Sequence, residues 1–185
     1  MRATKRAADL SSQLQIARAD QADERIACDL NDLVRESIDD LEPRLTDKAT
    51  LALSLADHLP LLSLAPTLIQ RAIVNILVNA VESLDTATGE MRIATETFTV
   101  AENTRQGYQQ NLPPGTYVSL RISDSGHGMD QAVLEQIFEP YYSTKSTGSG
   151  LGLTIARHVV QLHQGIIEVH SAPQTGTSFR VLFPL

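Results

Sequence analysis

Pro66-Thr-Leu-Ile69-Gln-Arg-Ala72-Ile73-Val74-Asn75-Ile76-Leu-Val78-Asn79-Ala80-Val81-Glu82-Ser-Leu84 reads as one long helix with a proline in its first turn, where the missing N–H costs nothing. Ile69, Ala72, Ile73, Ile76, Ala80 and Leu84 form one apolar face, and Val74, Val78 and Val81 form another. A helix apolar over most of its circumference is a buried helix. Asn75 and Asn79, four residues apart, nevertheless share a narrow polar stripe, with Glu82 one turn further on. Amides in such a helix must find partners. Two readings follow: bonds to neighbouring backbone, or a polar ligand or metal facing the stripe.

Downstream, Tyr117 to Asp124 reads as a strand with Val118, Leu120, Ile122 and Asp124 on one side, so a carboxylate continues an apolar face. Ser125-Gly126-His127-Gly128-Met129 follows, and two alternating glycines let backbone turn sharply and approach a ligand closely. Asp124 either caps this turn or accepts from a ligand amino group. Further on, Lys145 precedes Gly148-Ser-Gly150-Leu151-Gly152-Leu153, which opens directly into a helix running to about His163, with Gly165 as its C-terminal cap. Glycines before a helix N-terminus offer free N–H groups and a positive dipole end to phosphate. The alternative is an ordinary surface loop. The pattern is neither a Walker loop nor the dinucleotide fingerprint.

The remaining segments complete an α+β chain. Asp29 can cap a helix carrying Leu30, Leu33, Val34, Ile38, Leu41 and Leu45, which Pro43 bends or ends. Strands are predicted at Leu51 to Leu55, Met91 to Val100, Ile166 to Ser171 and Ser178 to Phe183, the last two joined by a turn at Pro173 to Gly176. Strands and helices mixed without βαβ alternation predict helices on one face of a mixed, mostly antiparallel sheet. At the front, Ala3, Ala7, Leu10, Leu14 and Ala17 follow a coiled-coil spacing, or that of one amphipathic helix on a core, and the polar run Ala19 to Arg25 reads as a linker.

Composition narrows the partners. The 185 residues carry a net charge of −7, which argues against nucleic acid and requires local groups to hold any anion. The single cysteine, Cys28, suits a reducing compartment. No window approaches the roughly 20 apolar residues of a membrane span. The expectation is a soluble, cytoplasmic piece without direct membrane contact, compatible with the cytoplasmic part of a membrane-bound sensor.

Taken together, Asn75-x-x-x-Asn79-Ala, Asp124-x-Gly126-x-Gly128-Met129, Phe138-Glu-Pro-Tyr-Tyr142-Ser-Thr-Lys145, Gly148-Ser-Gly150-Leu151-Gly152-Leu153 and Gly176-Thr177-x-Phe179 resemble the boxes of the GHKL ATPase superfamily. More narrowly, they resemble the catalytic domain of sensor histidine kinases, nitrogen-regulatory-type ones included. The resemblance runs from about Asp29 to the C-terminus. It implies a two-layer α/β sandwich over residues 26–185, with residues 1–25 as the end of a dimerisation helix and a linker. It further implies ATP and Mg²⁺ as ligands, transfer of the γ-phosphoryl group to a histidine, a homodimer through the dimerisation domain, and a response regulator as partner.

Roles carried over onto matching positions are as follows. Asn79 binds Mg²⁺, and Asn75 supports the metal or its waters as its catalytic companion. Asp124 accepts from the adenine amino group, Gly126, Gly128 and Met129 flank the base, and Thr177 assists through water. The lid between Phe138 and Gly152 closes over the phosphates, with Gly148, Gly150, Leu151, Gly152 and Leu153 at its turn and Lys145 as counter-charge. Many relatives carry Lys or Arg three residues after the metal asparagine; here Glu82 stands there and can polarise a water in the nucleotide site. Ala65 stands where an acidic residue is common, and the lid is short. His58, His127, His158, His163 and His170 all lack the phosphoacceptor context, which would lie upstream. The competing readings are a GHKL ATPase that hydrolyses ATP and a nucleotide-binding regulatory module without transfer. A non-acidic Asn75 argues against the first, and intact glycine boxes argue against the second.

Overall fold

The computed structural model describes residues 24–41, 49–84, 89–101, 112–145 and 148–185. The coiled-coil spacing of residues 3–17, Pro43, Leu45 and the segment 146–147 of the expected lid lie outside them. The elements are β1 (Ile26–Cys28), α1 (Leu30–Asp39), β2 (Ala49–Ser54), β3 (Leu62–Leu64), α2 (Pro66–Ser83), β4 (Gly89–Val100), β5 (Gly115–Asp124), α3 (Gln131–Leu134), α4 (Gly152–Leu162), β6 (Ile166–Ala172) and β7 (Gly176–Pro184).

Five strands form one sheet in the order β2-β4-β5-β7-β6. Among the described residues, β2 and β4 run parallel and the other pairs of this sheet are antiparallel. Antiparallel neighbours can be joined by short turns, as at Pro173 to Thr175, whereas the parallel pair needs α2 as part of its crossover. β1 and β3 pair separately as a two-stranded antiparallel ribbon. Neither of these three-residue strands is announced by periodicity, since three residues hold too little alternation to read.

One face of the sheet carries Met91, Ile93, Val118, Leu120, Ile122, Phe179, Val181 and Val169, all buried against the helices. α2 supplies the central layer: Leu68, Ile69, Ala72, Ile73, Ile76, Leu77, Ala80 and Val81 are buried, while Val74 and Val78 are only half-buried. α1 and α4 pack on either side of α2. Asp29 caps α1 as expected, accepting from Asn31 N–H at 2.8 Å. The same register sets Met91, Asp124 and Thr177 in one row across β4, β5 and β7, at the end of the core-facing side of the sheet.

α4 closes differently from the sequence expectation. The left-handed residue is Gln164 (φ 59°), not Gly165. Gln164 N–H donates to Gln161 O and Gly165 N–H to Val160 O, both at 2.9 Å, which is a complete Schellman closure. Gly165 is required one position later, where a Cβ would sit 2.7 Å from Leu182 O.

The cap residue of that helix, His163, joins α4 to the start of α2. Its buried ring donates from Nδ1 to Val159 O at 2.7 Å and accepts at Nε2 from Ala65 N–H at 3.0 Å, a pairing that defines the neutral tautomer. Burial lowers its pKa from the ordinary value, aided by the charge of Arg25 and opposed by the Val159 bond. As pH falls, the unfolded chain therefore takes the proton first. The stabilisation is present above about pH 6.5 and is lost as pH falls below it. The melting temperature is expected to drop between pH 7 and pH 5.5, with a shallower drop in His163→Gln; equal slopes would contradict this role.

Candidate functional site

α2 places Asn75, Asn79 and Glu82 along one side of a cavity of about 370 Å³. The opposite wall is built from Met129, Val133 and Ile137, from residues 142–145 and 148–150, and from Gly152 and Leu153 at the start of α4. Asn75, Asn79, Glu82, Met129, Lys145, Gly148, Gly150, Gly152 and Leu153, singled out from sequence, thus share one space. Its polar groups are unequally satisfied. Asn75 Nδ2 is buried without a hydrogen-bond partner among the described residues. Asn79 Oδ1 accepts from Lys145 Nζ at 3.3 Å, and Glu82 Oε2 pairs with the same ammonium at 2.7 Å. The pair is half-exposed, so it is worth little as a stability element. Its significance is directional: two oxygens of α2 already converge on a cation.

The expected lid is held at both ends. Tyr141 N–H donates to Gly150 O at 2.9 Å, with both residues at φ 66°. A Cβ at position 150 would lie 2.4 to 2.7 Å from Tyr141 backbone, so only glycine closes this neck. Phe138 is pinned to α4: Thr154 Oγ1 donates to its carbonyl at 3.1 Å, and the Arg157 guanidinium sits 5.3 Å from its ring centroid. α4 begins at Gly152, with no side-chain cap bond from Leu151, and Gly152 and Leu153 in its first turn line the cavity.

Asp124 stands apart from this cavity. Asp124 and Thr177 line a second, more open depression of about 510 Å³ along the ends of β5, β6 and β7. Gly126, Gly128 and Leu151 line neither. Oδ1 of Asp124 accepts from Ser83 Oγ at 2.9 Å, Gly126 N–H at 2.9 Å and Thr177 N–H at 3.3 Å. Oδ2 is buried with no partner among the described residues. Burial raises the Asp124 pKa from the ordinary carboxylate value, while those three donors and the nearby His127 oppose the rise. Of the two sequence readings of Asp124, the structure shows the tie to the turn, made by Oδ1.

Two contributors went unread in the sequence. Ser83 extends the Asn75–Asn79 stripe by one more step of four, so the spacing carried a signal for it. Ser171 had none. Its Oγ accepts from Met129 N–H at 2.8 Å and donates to Gly176 O at 2.9 Å, and it lies 3.0 Å from Thr177 Oγ1. It thereby joins the loop after β5 to the β6–β7 turn.

Residues 65–185 match the family model of histidine kinase-, DNA gyrase B- and HSP90-like ATPases. The chain is 31% identical over 118 residues to the signal transduction histidine-protein kinase AtoS of Escherichia coli, covering 64% of this chain and 17% of that protein. It therefore spans about a sixth of that relative's length. Its fold is that of the catalytic domain of histidine kinase ThkA, with a TM-score of 0.68 and 24% identity, covering 87% of this chain and 95% of that one. Full-length ShkA, solved in complex with AMPPNP, superposes with a TM-score of 0.70 at 21% identity, covering 94% of this chain and 34% of that one.

Proposed function

The chain belongs to the histidine kinase-, DNA gyrase B- and HSP90-like ATPase family, and on that premise we propose that it holds Mg-ATP between α2 and residues 142–145 and 148–150, and passes the γ-phosphoryl group to a histidine of a dimerisation domain in two-component signalling. The observation that carries this reading is the convergence of Asn79 Oδ1 and the Glu82 carboxylate on one cation, in a cavity that also receives the glycine-led N-terminus of α4.

Each residue has a task in that reading. A neutral amide oxygen and a carboxylate are hard donors of the kind Mg²⁺ takes when phosphates and waters complete its shell, so Asn79 and Glu82 fit the metal. Bound there, Mg²⁺ supplies charge neutralisation to the phosphates. Asn75 offers an amide N–H that has no partner among the described residues, and the N–H groups around Gly152 receive the phosphate oxygens. Lys145 is a cation that lines the cavity; turned from Glu82 to the nucleotide, it answers triphosphate charge that the family's usual Lys or Arg would meet. Asp124 Oδ2 accepts from the exocyclic amino group of adenine. Transfer is then mainly positioning. A response regulator and a homodimeric parent complete the proposal.

Incubation with γ-labelled ATP tests it, with and without an added dimerisation domain that carries its histidine. The chain alone is expected to bind ATP and remain unlabelled; His163, for one, has both ring nitrogens committed to backbone. The added domain is expected to gain acid-labile label, slowly, because the effective concentration of a linked acceptor is absent. Rapid phosphate release with no label on the added domain would favour hydrolysis instead.

A further inference from the structure

Ser83, the last residue of α2, is buried, and its hydroxyl lies 2.9 Å from Asp124 Oδ1 and 2.7 Å from Ala80 O. One hydroxyl proton serves one acceptor at a time. Given to Asp124, it is the third donor on Oδ1, beside Gly126 N–H and Thr177 N–H. The approach is tight: a Cβ on Gly126 would fall 2.2 Å from Ser83 Oγ. The result is an asymmetric carboxylate, with Oδ1 saturated by α2, the following loop and β7, and Oδ2 buried with no partner among the described residues. A carboxylate held by three donors on Oδ1 has its orientation restrained, which leaves Oδ2 as the acceptor with no partner among the described residues.

We propose that Ser83 is a positioning residue for base specificity, which holds Asp124 so that Oδ2 stands ready to accept from the 6-amino group of adenine. The inference rests on the reading of Asp124 as the base acceptor. Its chemistry is selective: adenine presents an N–H donor at that position, whereas hypoxanthine and guanine present a carbonyl oxygen that an ionised carboxylate repels. Donors on Oδ1 favour the ionised form, in which Oδ2 is an acceptor only, against a burial that favours the protonated one. Without Ser83, Asp124 loses a donor and a restraint together.

The test compares binding of ATP, purine riboside triphosphate (which lacks the 6-amino group) and tripolyphosphate, all with Mg²⁺, by the unaltered chain and by Ser83→Ala, Ser83→Cys and Ser83→Thr. The unaltered chain is expected to prefer ATP over purine riboside triphosphate. Ser83→Ala and Ser83→Cys should reduce that preference by about fivefold, through weaker ATP binding at unchanged affinity for the other two ligands. Ser83→Thr, which keeps the hydroxyl, should restore it; Ser83→Cys covers the case in which the extra methyl does not fit. A purely structural role would weaken all three ligands together and leave the preference intact, which would overturn the proposal. No preference in the unaltered chain would instead overturn the reading of Asp124, and this inference with it.

Discussion

Asn79→Ala is expected to lower Mg²⁺-dependent ATP binding by about a hundredfold while the fold survives, in line with the loss of an interaction with a charged group. Asn79 is half-buried, and its contact is with Lys145, itself partly exposed. The buried neighbours Ile76, Ala80 and Ser83, not Asn79, seat this turn of α2 in the core. Alanine also favours helix more than asparagine does, by about 0.5 kcal/mol. Removing the amide therefore takes a hard oxygen from the cavity and little from stability. Titration with a fluorescent ATP analogue, with Mg²⁺ and with excess chelator, separates the two effects. The difference between those titrations should vanish in the variant while its melting temperature stays close to that of the parent. Mg²⁺-linked binding at full strength would remove Asn79 from the metal site.

Asp124→Asn should weaken ATP by about 10- to 100-fold and leave tripolyphosphate nearly untouched. The direction follows from the hydrogen-bond map. Ser83 Oγ, Gly126 N–H and Thr177 N–H all donate to the Oδ1 position, so the amide oxygen of the variant must occupy it. The NH₂ then replaces Oδ2 and meets the adenine amino group donor to donor. Stability should suffer little, because the substitution also removes a carboxylate whose burial disfavours its charge. Competition between ATP and GTP gives the complementary measurement. The parent should favour ATP and the variant should lose that margin; equal affinity of the parent for the two bases would contradict the assignment.

Much of this architecture is local in origin and could be read before any coordinates. The period of α2, its proline start and the stripe of Asn75 and Asn79 follow from helical geometry alone. The same holds for the alternation that puts Asp124 on the core face of β5, and for the glycines that precede α4. Each depends on residues within a few turns or steps of one another. The order of the boxes along the chain carried the family resemblance, and the family match over residues 65–185 agrees with it.

Other features depend on contacts between segments far apart in sequence. The parallel pairing of β2 with β4 leaves no mark in the composition of either strand. Gln164 adopts the left-handed conformation because Gly165 is needed where β7 passes close by, a constraint set by Leu182 O. Lys145 reaches Asn79 and Glu82 across 66 and 63 positions. Ser83 and Thr177 reach Asp124 across 41 and 53. A periodic pattern states which face of an element is apolar; it does not state which element will lie against that face. By itself, then, the sequence determined the elements, their buried faces and the residue types of the site. Packing alone decided how Asp124 is tied, with Oδ2 left without a partner among the described residues, and which cation meets Asn79. These are matters of a few tenths of an ångström between chain segments, and no local propensity encodes them.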